Sequence, residues 1–342
     1  MKNSKINMEK RDHSIDIAKG LGVFLVIWGH LNSIHYHLYV YSFHMPLFFL
    51  LSGIFHKQEI SLYQLIQSKS RSLLLPYVFF SLFSYIFYLV WAILFTGLNT
   101  FDFYSIYKII SYKDAVSVPL WFFISLFEVT IIYYLLKRNV KNSLALLLIT
   151  LSISIFSYCI SQLHLTNFHN YFHIFSSFSM LFFYALGCEG LKKNKEKIIP
   201  NHIILTVFIF MVTFLLHLYV NTFSKGIDVN SNVFNVPFLI YFLAAIIGSY
   251  SLWLISVIIN KLHILSRFWA FVGKNSMGIF AIHMPVFELA RPLIKLIIIP
   301  GSTLSDFLVA ILSLFISIAV NEILKIIFPF IYGLERKREP IY

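Results

Sequence analysis

The sequence predicts an all-α polytopic integral membrane helical bundle, and three observations predict it. Of 342 residues, 58% are hydrophobic and only 12% are charged, with a mean hydropathy of +0.78, which leaves too little polar surface for a soluble globule. Apolar runs near the roughly 20 residues needed to cross a hydrocarbon core recur along the whole chain. Basic residues gather on one side of those runs.

About ten transmembrane helices follow, near residues 15–34, 43–56, 75–96, 118–136, 143–162, 172–189, 201–220, 236–258, 268–290 and 303–330. The second is short and reads as a tilted or half-buried helix that begins before Pro46 and runs past Gly53. With the N-terminus inside, 19 of the 27 Lys and Arg fall on the cytoplasmic side and five outside, while Lys19, Lys274 and Lys325 stand within spans. This asymmetry predicts an even number of crossings with both termini cytoplasmic. It also absorbs the net charge of +12, so no nucleic-acid partner is needed.

Basic residues precede the first run as in a secretory signal, but Asp16 and Lys19 interrupt it and no small-x-small pattern follows, so it is expected to stay attached. Cys159 and Cys188 lie in apolar segments and suggest neither a disulfide framework nor a Cys metal site. The longest polar connections, near 97–117 and 221–235, are short, so residues 1–342 are expected to form a single membrane domain.

Within the first span, DIAKGLGVFLVIWGH places Lys19 and His30 eleven residues apart, about 3.06 turns and roughly 16 Å, and so on nearly one helix face. Charge and imidazole inside a membrane segment are expensive and mark functional candidates. The topology puts His30, His44 of SFHMPLFFLLSG and His283 of GKNSMGIFAIHMP in one layer of the outer half, with Glu288 beyond. A near-neutral histidine can take the proton of an alcohol attacking a carbonyl, which makes His30 a candidate general base. The bland reading for each histidine is an interfacial side chain or an interhelical hydrogen bond. No His-x3-His or carboxylate pair accompanies them, so no metal is expected.

Lys19 and Arg11, with Arg71 and Lys69, could hold phosphates at the cytoplasmic mouth, although the positive-inside bias alone would put cations there. Asp16 stands one turn from Lys19 and can pair with it. Glu128, mid-span, must be paired or protonated; it either orients a base or sugar hydroxyl, or pins two helices. Trp121 either stacks on a sugar or belongs to the aromatic belt. Glu322 and Lys325, three residues apart, read as a structural pair.

The ordered segments DIAKGLGVFLVIWGH, SFHMPLFFLLSG, SRSLLLPY, PLWFFISLF and GKNSMGIFAIHMP resemble the membrane acyltransferase-3 superfamily, closest to its fucose 4-O-acetylase-like subgroup. They cover the first 130 residues and a patch at 273–285. The resemblance implies O-acyl transfer from acetyl-CoA, as donor substrate, to a sugar or other hydroxyl, and its signature of a basic residue followed eleven positions later by histidine falls on Lys19 and His30. Many members carry arginine where this chain has Lys19, and Lys lacks the bidentate fork.

The candidates are then His30, Asp16, His283 and Glu128 for catalysis, and Lys19, Arg11 and Arg71 for the donor. His44, Trp121, Asn275 and Ser276 are the candidates for the acceptor site, the last two as oxyanion donors. The expected partners are acyl-CoA, a glycan or lipid-linked sugar acceptor, and membrane lipid, in a bacterial cell inner membrane. The main rival is a transporter or flippase for a polar or lipid-linked substrate, which buried His, Glu and Lys also suit. A sensory or assembly protein that kept the scaffold without the chemistry is a third.

Overall fold

The computed structural model describes residues 13–31, 36–57, 61–104, 106–107, 117–163, 171–192, 200 and 202–334. In chain order the helices are α1 (Ser14–Gly29), α2 (Tyr36–Tyr41), α3 (His44–Ile54), α4 (Leu62–Thr96), α5 (Val118–Asn139), α6 (Ser143–Gln162), α7 (Ile174–Leu191) and α8 (Ile203–Asn221). A hairpin of two short strands, β1 (Ile227–Asp228) and β2 (Val233–Phe234), precedes α9 (Phe238–Ile259), α10 (His263–Lys274), α11 (Ser276–Lys295) and α12 (Thr303–Ile327). The chain is a multi-pass helical membrane protein: eight of the described helices are long and apolar enough to cross a bilayer.

Local chemistry explains the boundaries. Ser61 and Gln64 form a capping box at the start of α4, and Asn142 and Ser302 cap α6 and α12 by accepting from backbone amides. Pro46 falls in the first turn of α3, where a missing amide proton costs nothing. Two π-helical turns, Ser70–Leu74 in α4 and Gly187–Leu191 in α7, interrupt the α geometry where Arg71 and Glu189 stand, the kind of place such turns favour.

Two predicted spans are not long crossings. α1 has 16 residues and α3 has 11, about 24 and 16 Å of helix, and neither has an exposed residue. They form the inside of the bundle: α1 packs on α3, α9, α10, α11 and α12, and α3 on α7 and α9. α6 and α8 lie outermost, with only 22% and 17% of their apolar windows buried, as lipid-facing helices should be. α3 begins before Pro46 and ends just past Gly53 as read from the sequence, yet it is enclosed by protein rather than half-buried.

A second correction concerns the ninth span. Residues 268–290 are not one helix, because α10 ends at Lys274 and α11 starts at Ser276, with Asn275 between them at φ −98° and ψ 1°. The break falls at the polar stretch Lys274-Asn275-Ser276, which apolar residues flank on both sides.

Glycines set the closest approaches. A Cβ on Gly53 would strike the Tyr184 carbonyl oxygen, and one on Gly187 the Leu50 carbonyl oxygen, so α3 and α7 meet backbone to backbone. Gly20 and Gly273 do the same for α1 and α10, against the Trp269 and Asp16 carbonyls. Small residues of this kind let helices pack closely where lipid supplies no hydrophobic drive.

Gly187→Ala is expected to cost about 1–3 kcal/mol by overpacking against rigid backbone. Gly190→Ala meets only the Leu186 side chain and should cost less. Thermal unfolding of the two detergent-solubilised variants checks this, and equal midpoints would contradict the backbone contact.

Candidate active site

The end of α1 opens into a pocket of about 260 Å³. Its wall takes Val26 and His30 from α1, Tyr41 from α2, His44 and Met45 from α3, Val118, Pro119 and Trp121 from α5, Phe280 from α11, and Ile227 to Asn230 from the hairpin. The charge asymmetry assigns all of these segments to the outer side. Geometry and charge counting therefore agree on which loops share a face.

His30 Nδ1 lies 2.9 Å from the Tyr41 hydroxyl, and the His30 ring centre is 5.3 Å from that of His283. The Tyr41 ring meets His44 edge-on at 4.8 Å. Thus the three histidines do meet in one layer, with Tyr41 as the link between His30 and His44. His44 Nδ1 donates to the Val40 carbonyl at 2.8 Å and His283 Nδ1 to the Phe280 carbonyl at 2.7 Å. A carbonyl can only accept, so in the neutral ring each Nε2 keeps its lone pair. His283 is fully buried behind His30, and its Nε2 has no hydrogen-bond partner among the described residues.

The hairpin forms the roof of this pocket. Asn232, at φ 54°, accepts from Ser157 Oγ at 3.1 Å and Ser179 Oγ at 2.8 Å, and donates to the Ser157 carbonyl at 3.2 Å. Ser176 Oγ donates to the Asn230 carbonyl at 2.9 Å, and Gln162 to that of Phe234 at 2.8 Å. Asparagine tolerates the left-handed region better than other side chains, and here it nails an outer loop to α6 and α7. Asp228 and Asn230 are thereby presented to the pocket.

On the opposite side a larger cavity of about 780 Å³ is lined by Gln64, Gln67, Ser68, Arg71 and Ser72 of α4, Lys274 to Gly278 at the α10–α11 break apart from Ser276, Lys325, and Phe330 to Leu334. Three cations, Arg71, Lys274 and Lys325, share it. Lys325 donates to Glu322 at 2.8 Å and to Asn275 Oδ1, so the expected Glu322–Lys325 pair is present. Asn321 also donates to Asn275 Oδ1, at 3.2 Å, and accepts from the Tyr332 hydroxyl at 2.9 Å.

The structure brings His30, His44 and Trp121 into one pocket with His283 behind it, and it separates the rest. Lys19 points its ammonium over the Phe55 ring, 4.2 Å from the centroid, a cation–π contact, and does not line the Arg71 cavity. Asn275 lines the inner cavity rather than the outer pocket, and donates to the Phe271 carbonyl at 2.9 Å. Ser276 opens α11, seven residues or about 10 Å of helix before His283. Asp16 lies in the first turn of α1. Arg11 lies outside the described residues. Glu128 accepts from Ser177 Oγ at 2.6 Å, tying α5 to α7, and it is absent from the outer pocket wall.

Several functional candidates carry no signal in the sequence pattern. Tyr41, Asp228 and Asn230 join the outer pocket. Glu189, its side chain fully buried, is met by Lys137 at 2.7 Å, by the Tyr133 hydroxyl at 2.7 Å and by Ser143, and His56 nearby bonds the Tyr184 hydroxyl at 2.8 Å. A compensated buried carboxylate of this kind holds helices together. Lys274 and Lys325 do carry a signal, since both are cations inside apolar spans.

The profile of a family described as an acyltransferase domain (Acyl_transf_3) matches residues 12–322. That stretch takes in every helix from α1 through most of α12. No curated protein matches the chain.

Asn232→Ala is expected to loosen the roof, because it removes three hydrogen bonds and leaves alanine at positive φ, at a local cost of about 1–3 kcal/mol. Amide hydrogen exchange over residues 226–235 should quicken while that of α3 and α7 is unchanged. Unaltered exchange in the hairpin would show that Asn232 does not hold it.

Proposed function

The chain belongs to the acyltransferase-3 family, and on that premise we propose that it is a membrane O-acetyltransferase, moving acetyl from cytoplasmic acetyl-CoA to a sugar hydroxyl of an envelope glycan. O-antigen, capsule and exopolysaccharide are the acceptor class, in a bacterial cell inner membrane. The observation that carries the reading is a pair of recesses, a histidine-lined one at the outer end of the enclosed helix α1 and a cationic one among α4, the α10–α11 break and α12.

Arg71, Lys274 and Lys325 are suited to the phosphates of CoA, Arg71 by its bidentate fork. Lys19 lies further along, three turns of helix below His30, where its ammonium is held against an aromatic face. The pantetheine arm then extends along α1 toward the outer pocket. Trp121 offers a face for a sugar ring, and His44 closes the pocket beside it.

His30 acts as general base in this reading. It takes the acceptor hydroxyl proton as the oxygen forms a bond to the thioester carbonyl carbon; the C–S bond then breaks and the departing thiolate recovers that proton as CoA-SH. His283, its ring 5.3 Å from that of His30 and behind it, can share the His30 proton, since two adjacent imidazoles do not both carry charge readily.

Mild-base release of acetate from cell-envelope polysaccharide tests the reading, in cells with the protein, without it, and with His30→Ala at equal membrane abundance. Base-labile acetate is expected only with the intact protein. Equal acetate in all three, together with substrate movement that needs no acyl-CoA, would favour the transporter or flippase.

Arg71→Ala is expected to raise the KM for acetyl-CoA by about tenfold, the worth of one charge-assisted contact, with little change in the acceptor KM. Kinetics in membrane vesicles with each substrate varied in turn measure this. A change confined to the acceptor KM would move the donor site away from the inner cavity.

A further inference from the structure

A third hollow, of about 250 Å³, stands at the outer end of α11 and α12, and the acyl-transfer chemistry uses none of it. Its wall includes Leu31 from just past α1, Arg291 and Lys295 from α11, Gly301 from the connection, and Ser305 and Asp306 from α12.

The charge in this hollow runs against the topology. Only five of the 27 Lys and Arg fall on the outer side, and two of those five, Arg291 and Lys295, line this one cavity. The bias that explains the cytoplasmic cations depletes this face instead. Four residues apart on α11, the two side chains leave the helix about 5–6 Å from each other, a spacing that suits one small anion. Neither makes a hydrogen bond or ion pair with another described residue, although Glu288 precedes Arg291 by three positions. The Arg291 guanidinium carbon lies 5.1 Å from the centre of the Phe287 ring, which fixes its base by a cation–π contact. Asp306 shares the hollow and pairs with neither cation. It belongs to the first turn of α12, where the backbone dipoles favour a carboxylate. Two cations against one carboxylate leave the cavity positive.

The rim is aliphatic. Leu296, Ile297 and Ile299, directly after Lys295, are 84%, 77% and 82% exposed. Such a run at the outer end of two spans is costly in water and suits hydrocarbon. Ordinary anchoring lysines snorkel away from the protein toward water, whereas these cations line a concavity walled from three sides. A phosphate carried on an apolar chain answers both features at once.

We propose that this hollow is a lipid site, in which Arg291 and Lys295 hold the phosphate of an outer-leaflet lipid while its chain lies on Leu296, Ile297 and Ile299. Arg291 supplies a bidentate fork and Lys295 a point charge. Two sources carry this chemistry, an anionic phospholipid of the membrane and the carrier lipid of a lipid-linked acceptor. The site goes beyond the acyl-transfer reading and does not depend on it. Leu31 directly follows His30, so a bound headgroup stands against the end of the helix that carries the candidate base.

Native mass spectrometry of the full chain tests the site, with phosphatidylglycerol, polyprenyl phosphate and net-neutral phosphatidylcholine as separate probes. Cytoplasmic cations also attract anionic lipid, so Arg138→Gln/Lys141→Gln serves as the inner-face control. Arg291→Gln/Lys295→Gln is expected to raise the Kd of the tightest anionic lipid by about tenfold or more, with phosphatidylcholine and the control unchanged. Asp306→Asn removes a like charge and should tighten the same lipid, the opposite sign from a carboxylate that merely braces the two cations. A loss for phosphatidylglycerol identifies a membrane phospholipid, and a loss for polyprenyl phosphate alone identifies the carrier of an acceptor; each supports the site.

Unchanged binding of both anionic lipids in Arg291→Gln/Lys295→Gln overturns the proposal, as does an equal loss in the inner-face control or for phosphatidylcholine. Weaker binding in Asp306→Asn would remove the phosphate from this hollow. None of these readings involves acyl transfer, so they stand apart from the success or failure of the acetyltransferase assay.

Discussion

The backbone contact between α1 and α10 is what the site depends on. Gly20 lies against the Trp269 carbonyl and Gly273 against the Asp16 carbonyl, so α1 is gripped along its cytoplasmic half without side chains intervening. A helix bearing Asp16, Lys19 and His30 could not face lipid, because each polar group in hydrocarbon costs several kcal/mol when unsatisfied. Enclosure by α3, α9, α10, α11 and α12 removes that cost. It also frees α1 from the need to span the bilayer, and the helix stops at 16 residues.

That shortness shapes everything around it. The long helices, 35 residues in α4 and 25 in α12, are long enough to cross a bilayer, and the short central pair α1 and α3 is not. At the outer end of α1 the missing length leaves a recess, roofed by the hairpin and walled by aromatic residues, whereas the cationic cavity is built separately from α4, the α10–α11 break, α12 and the segment after it.

Depth is what the sequence makes legible. Basic residues fix orientation and helical rise fixes height, so the layer shared by His30, His44 and His283 follows from charge and spacing alone, and His30 and His283 are indeed neighbours at 5.3 Å. Lateral arrangement is not legible, because every span is apolar on most faces and the hydrophobic period no longer says which face meets which helix. Glu128 against Ser177 and Glu189 against Tyr133 join residues 49 and 56 apart, pairings that no local pattern encodes. At Asn275 the polar stretch Lys274-Asn275-Ser276 marks the break in the sequence, but its partners Asn321 and Lys325 come from α12 and are not legible there. The hairpin reads from sequence only as a loop, since strands of two residues leave no alternation to detect, and Asp228 and Asn230 are concealed with it.

His283 is the residue whose energetics point most directly at a ligand. Its Nδ1 proton is committed to the Phe280 carbonyl, so its Nε2 is an acceptor, fully buried and unpaired among the described residues. Leaving such an atom unmet costs about 1–3 kcal/mol, a cost shared by other buried groups such as Tyr241 Oη and Trp253 Nε1, which likewise have no hydrogen-bond partner among the described residues; what distinguishes His283 is its place beside His30. The atom stands beside His30, behind the pocket wall rather than on it. A hydroxyl carries one proton, so any donor that satisfied His283 would be a different group from a hydroxyl giving its proton to His30.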